Sequence, residues 1–252
     1  MSNYYLGQGK LYIAARSAAG LPMPLRWLGD VSDAKLALKV DNVEHKESYT
    51  GQRLTAKKIV TGKEASFDFT LMELSKDNLS LALYGKASTI ASGSVTAEVL
   101  PADLVADDRV ALKYPKVSTV VITDSTPTTP LTLDPSKYTV DADYGTITLL
   151  DVTAVVQPLN VAYTHAALEN VSIFTASQSE VFLRYEGINL AEDGAPVIVE
   201  LYKVSTEPLK ELALITTKFA ETAIASTVLL DSARPVDDEI GQFGRILQVA
   251  AV

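Results

Sequence analysis

The sequence predicts a mainly β protein that carries a small inserted β domain. Three observations lead there. Apolar and polar residues alternate through much of the chain, which is the period of half-buried strands. Only one stretch has convincing helical spacing, and no repeat of fixed period is visible, which sets aside solenoids and propellers. With 252 residues, 47% apolar and 21% charged, the composition is globular. A chain of this length can bury roughly three quarters of its unfolded surface.

Leu36, Leu38 and Val40 point one way while Lys35, Lys39 and Asp41 bracket them on the other face. Phe67, Phe69 and Leu71 repeat the pattern around Asp68 and Thr70. The two runs are expected to pair as a hairpin. Between them, residues 44–64 contain Gly51 and Gly62 and the basic side chains Lys46, Arg53, Lys57, Lys58 and Lys63. This reads as a loop far longer than a tight hairpin turn, of the kind that is functional or mobile. A short helix is expected over residues 75–84: Ser75 can cap its amino end, Leu79 and Leu83 lie four apart on one face, and Gly85 stands where a C-terminal cap belongs.

Residues 87–94 are small and uncharged and read as a linker. After it, short strands are expected at 117–123, 138–140, 146–150 and 159–163, and longer ones at 181–186, 197–204, 211–217 and 227–230. The expected organisation is a discontinuous core domain, residues 1–95 and 169–252, interrupted by a small all-β domain at 96–168.

The absence of cysteine excludes disulfides, thiolate catalysis and cysteine metal sites, and suits a reducing compartment. The opening residues have neither a basic nor an apolar signal region, so no secretory signal is expected. The longest uncharged stretch, 152–168, is interrupted by Gln157, Pro158, Asn160 and His165, so no membrane span is expected. No Gly-x-Ser-x-Gly elbow occurs, and His45 and His165 have no legible catalytic partners. Asp141 and Asp143 with Gly145 suit a hairpin turn better than a calcium loop, which would need a closing glutamate. Asp103, Asp107 and Asp108 read as a solvated loop. Gly62 and Gly85 precede lysines without the glycine a Walker loop requires. No cofactor is expected. The balance of 22 basic to 31 acidic residues, net −9, disfavours ordinary nucleic-acid binding, which rests on lysine and arginine displacing counterions. Residues 1–95 are net positive and the later segments net negative, so opposite charges could steer one copy onto another.

One order of segments carries a resemblance. Arg26-Trp-Leu-Gly-Asp-Val-Ser32 is followed by the alternating strand, by Lys46-Glu-Ser-Tyr-Thr-Gly51, by the Phe67 and Phe69 strand, and by Glu73-Leu-Ser-Lys-Asp-Asn-Leu-Ser-Leu-Ala-Leu-Tyr-Gly85. Together with Glu180-Val-Phe-Leu-Arg-Tyr-Glu-Gly-Ile-Asn-Leu-Ala191 and Val197-Ile-Val-Glu-Leu-Tyr-Lys203, this order resembles the major tail tube proteins of long-tailed, non-contractile bacteriophages. The resemblance covers roughly two thirds of the chain. It implies a β-sandwich or rolled sheet with one flanking helix, self-assembly into stacked hexameric rings forming a genome conduit, and residence in a virion tail assembled in the host bacterial cytoplasm. It further implies tape measure, distal tail and tail terminator proteins as partners, with DNA passing in transit. Lys46, Tyr49, Gly51, Arg53, Lys57, Lys58 and Lys63 are the expected inter-subunit residues, Asp68 a lumen-facing one, and the insert an outer decoration. A non-catalytic β-sandwich that binds carbohydrate or protein is the alternative.

Overall fold

A computed structural model of the chain describes residues 4–235 and 239–248. Strands make up 49% of the chain and helix 5%, so the protein is mainly β with one α-helix and a curled sheet. The chain divides into two units, residues 1–87 with 171–252, and residues 88–170.

The first unit starts with β1 (Gly7–Ala15), β2 (Arg26–Trp27), β3 (Val31–Lys46), β4 (Thr55–Leu71) and helix α1 (Lys76–Ala82). The chain leaves through β5 (Ala87–Ile90), builds β6 (Gly93–Val99), β7 (Arg109–Ala111), β8 (Val117–Thr123), β9 (Tyr138–Asp141), β10 (Thr146–Leu149) and β11 (Asn160–His165), and returns through β12 (Leu168–Val171), which pairs with β5. It then adds β13 (Glu180–Asn189), β14 (Ala195–Thr206), β15 (Thr222–Ile224), β16 (Ser226–Val228) and β17 (Gly244–Gln248). Nine of these strands form one sheet in the order β15, β4, β16, β14, β13, β1, β2, with β3 added to β4 and β17 to β14.

The alternation in β3 and β4 produces the expected pairing, with Leu36 opposite Phe67 and Lys35 opposite Asp68. Phe67, Phe69 and Leu71 enter a core with Leu11, Ile13, Leu28, Leu183, Leu201 and Ile224, where each fully buried side chain contributes about 1.5–3 kcal/mol. Two expectations fail. Residues 87–94 are no linker, because they form β5 and the start of β6. Residues 211–217, expected to be a strand, form none: they meet no sheet edge that could take their backbone hydrogen bonds.

In α1 the Ser75 hydroxyl caps the amino end, accepting from the Asn78 amide at 3.3 Å. The buried face is Asn78 and Ala82 rather than Leu79 and Leu83, which are only half-buried. The reason is polar. Asn78 Nδ2 donates to the carbonyls of Leu28 at 2.7 Å and Glu73 at 3.0 Å, and its Oδ1 accepts from Arg26 Nη1 at 2.8 Å. Gly29, at φ +86°, turns the chain beside it, and Met72 donates to the Asp30 carbonyl at 3.0 Å. The Arg26–Asp30 and Glu73–Asn78 stretches of the resemblance are thus one interlocked knot.

The second unit has its own core of Leu100, Leu112, Ile122, Ile147, Leu149, Leu159 and Val161, between the sheets β7–β10–β9 and β6–β11–β8. Asp124 is buried and organises the loop after β8: it accepts from the amides of Thr126, Leu131 and Val156 and from the Thr126 hydroxyl. These bonds, the Thr126 hydroxyl foremost, lower its carboxyl to about 2.

Replacing Asn78 by Ala strands the buried Leu28 carbonyl, the partly buried Glu73 carbonyl and the Arg26 guanidinium. A loss of about 2–3 kcal/mol is expected, read as a fall of about 4–12 °C in the melting transition of the first unit. An unchanged transition would show that the knot is not structural.

Candidate functional site

The stretch expected to be a long loop, residues 44–64, is mostly strand. β3 runs to Lys46 and β4 begins at Thr55, which leaves only residues 47–54 as a loop. Other strands support β4 only up to Ala65: β15 pairs with residues 69–71 and β16 with 65 and 66. Beyond that, β3 and β4 continue alone as a two-stranded arm about 25 Å long, at roughly 3.3 Å per residue.

The arm has two parts. Near its root, one face carries Leu36, Leu38 and Val40 opposite Phe67, Ala65 and Lys63, so it continues the core outward into solvent; Leu38 is 76% exposed. The opposite face carries Lys35, Lys39 and Asp41 opposite Asp68, Glu64 and Gly62. Further out, Thr61 is skipped in the pairing: Asp41 faces Gly62, yet Asn42 faces Val60. This one-residue bulge reverses the phase of β4. Val43 and Ile59 then form an exposed apolar pair on the side that was charged, with His45 opposite Lys57 beyond them.

The tip is built on Glu47. Its carboxylate accepts from the amides of Tyr49 (2.8 Å), Thr50 (2.9 Å) and Leu54 (3.3 Å) and from the Thr50 hydroxyl. The Glu47 amide in turn donates to the Leu54 carbonyl at 2.9 Å. The hydroxyl and amide bonds from Thr50 lead in lowering the Glu47 carboxyl to about 2. Gly51 supplies a left-handed residue at φ +79°.

All the basic residues singled out in the sequence lie exposed on this arm, Lys46 and Arg53 around the tip together with Tyr49, and Lys57, Lys58 and Lys63 along β4. Lys58 reaches Glu44 at 3.6 Å, and Lys39 bridges Glu64 (3.0 Å) and Asp41 (3.2 Å). Among the described residues, Lys46, Arg53, Lys57 and Lys63 have no ion-pair partner. Asp68 is exposed on the charged face, where its Oδ1 accepts from the Ser226 amide at 3.2 Å. It shares that face with Lys35 and Lys39, so this strip is close to neutral.

Sequence reasoning missed a groove of about 890 Å³ in the same unit. The edges of β1 and β3 flank it, Leu11, Phe67, Tyr185 and Val199 line it, and Ile246 of β17 closes one side. Gly7, Gly9 and Gly187 leave room for the Tyr5 and Tyr185 rings: a Cβ on Gly187 would come within 2.2 Å of the Tyr185 hydroxyl. Burial, then a hydrogen bond with Tyr5, pushes the Tyr185 phenol up to about 12, so the groove presents neutral aromatic walls.

Elsewhere the reactive residue types are occupied structurally. His165 stacks on Tyr114 with centroids 4.1 Å apart, and its Nδ1 lies 2.9 Å from the Ala166 carbonyl. Asp141 meets Arg109 at 3.2 Å and Asp143 meets Lys116 at 2.6 Å, flanking the turn between β9 and β10. Among the described residues no group of three His, Asp or Glu side chains could hold a metal ion, and no helix is long and apolar enough to cross a membrane.

Fold and site together define a mainly β chain whose most unusual feature is an exposed arm. The chain belongs to the family described as Protein of unknown function UCP028589, matching it over residues 4–247. No curated protein matches it.

The depressed Glu47 carboxyl means that its support of the tip is fully present above about 4.5 and is lost as pH falls towards about 2. Hydrogen-exchange protection of the Tyr49 and Thr50 amides should therefore hold at neutral pH and decline between those values. Glu47→Gln should weaken that protection at neutral pH and abolish its acid dependence; an identical profile in the variant would refute this role.

Proposed function

We propose that this protein is a structural subunit that self-assembles into stacked rings to form the tail tube of a long-tailed bacteriophage. The single observation that supports this best is the arm. A two-stranded ribbon is marginally stable alone in water, and this one presents Leu38, Val43, Ile59 and Val60 to solvent along two unpaired strand edges. Proteins normally blunt or cover such edges. A neighbouring copy that covered them would bury the apolar pairs and satisfy the edge backbone at once, which gives the arm a reason to exist.

The segments that carry the resemblance also support the reading, because they coincide with the knot around Asn78 and with the pairing of β13 and β14 rather than with scattered surface features. The acidic balance, −9 overall, suits a wall past which DNA slides without being held. The tape measure, distal tail and terminator proteins belong to the same proposal, as does a role without catalysis.

Negative-stain imaging of concentrated protein should show rings or tubes. The double variant Val43→Asp, Ile59→Asp changes two exposed side chains and should leave the melting temperature unchanged, while the concentration needed for assembly rises at least about tenfold. A wild-type protein that stays monomeric at every concentration would replace this reading with a β-sandwich binding module.

The second unit leaves and returns through the paired strands β5 and β12, so replacing residues 88–170 by a two-residue turn should keep the first unit folded and assembling. Loss of tubes with the first unit intact would place residues 88–170 in the assembly contact itself.

A further inference from the structure

We propose that residues 211–219 of one copy dock into the groove between the edges of β1 and β3 of a second copy. This contact rests on the self-assembly reading and names two of the surfaces that would meet.

The segment is tethered at both ends and free between them. Glu207 donates to the Ala225 carbonyl and Leu209 to the Ala82 carbonyl, both at 2.8 Å, and Thr222 pairs with Leu71. In between, Leu214 is 85% exposed, Ile215 97% and Phe219 91%. Three large apolar side chains in one short stretch present on the order of 500 Å² to water, which is about the largest patch a soluble monomer carries and typically marks an interaction site. The run Leu212 to Ile215 is continuously apolar, yet no sheet edge of its own chain takes it up.

The groove offers what the segment lacks. Its apolar lining, Leu11, Leu36, Phe67, Val199 and Ile246, could receive Ile215 and Phe219, and the strand edges beside it could pair with an added backbone. Charge fits as well. Lys218 sits between those two apolar residues with no ion-pair partner among the described residues, and the groove mouth carries Asp30, whose carboxylate is likewise without a cation. The segment's own groove is a poor fit for it. At Leu71 the β4 strand is paired with Val31 of β3 on one edge and with Thr222 of β15 on the other. The segment therefore leaves the sheet on the far side of β4 from β3. A second copy faces no such barrier, and because the two surfaces differ, each copy can donate and accept, so the contact propagates.

The absence of cysteine makes a clean test possible. Full-length Ile215→Cys and Ile246→Cys proteins, both altered at exposed positions, are mixed at high concentration with copper phenanthroline as oxidant. A disulfide-linked pair containing one of each is expected in at least tenfold excess over a control mixture of Ile215→Cys with Val105→Cys. Adding Lys218→Glu to the first protein should lower the yield at least threefold, and adding Asp30→Lys to the second should restore it. A yield no better than the control overturns the contact, whether or not tubes form. Tubes without the cross-link would retain the tail-tube reading and reject this interface; the cross-link without tubes would do the reverse.

Discussion

β4 is longer than the sheet that holds it, and much of the first unit follows from that mismatch. Its last seven residues, from Ala65 to Leu71, are gripped by β3 on one edge and by β15 and β16 on the other, with Phe67 and Phe69 pinned in the core. Those buried rings fix the register, because a slip of one residue would turn the whole apolar set outward. The same rigid register propagates past the end of the body into a ribbon that has no core of its own. The arm is therefore aimed by the core but not stabilised by it.

How much of this was legible in the sequence depends on whether a residue's environment was set locally. Where a strand has one dry face and one wet face, alternation reports it, and the pairing of the Leu36 run with the Phe67 run could be read, though not its register. Where both faces are wet, as in the arm, nothing forces alternation, so Lys57-Lys58-Ile59-Val60 looked like loop. The converse error came at 211–217: the apolar run Leu212 to Ile215 suggested a strand, but a strand also needs an edge to join. In the helix, leucines four apart suggested the wrong face, because the decisive residue was a polar one. Asn78 is drawn inward by the backbone carbonyls of Leu28 and Glu73, partners about fifty and five positions away, and only the tertiary fold brings the first of them near. The basic residues of the candidate site lie together on the arm because they are close in sequence; the groove had no such signal, since its walls come from strands spread over the whole first unit.

The acidic residues are employed less as a charge reservoir than as local architecture. Glu47, Asp124, Asp134 and Asp151 each gather nearby amide and hydroxyl donors at a bend. A carboxylate so used satisfies backbone groups that would otherwise need a longer, better-paired loop. These carboxylates stay charged; it is at the strip around Asp68, where Lys35 and Lys39 stand on the same face, that the local field is weaker than the net charge suggests.

The two residues skipped in the arm, Thr61 and Ala56, have a further consequence for how this hairpin can vary. They act as frame markers: β4 residues on the root side of Thr61 are read in one parity, those between the two bulges in the other, and the root parity returns where Thr55 meets Lys46, so Ile59 and Lys57 face the way they do only because one position was left out of the ladder. Changing the length of the ribbon by a single residue would invert everything distal to the change, while adding or removing matched pairs, one on each strand, would leave both faces in register. Drift in the arm's length should therefore proceed in balanced steps, and an unbalanced step should survive only where a second bulge compensates it.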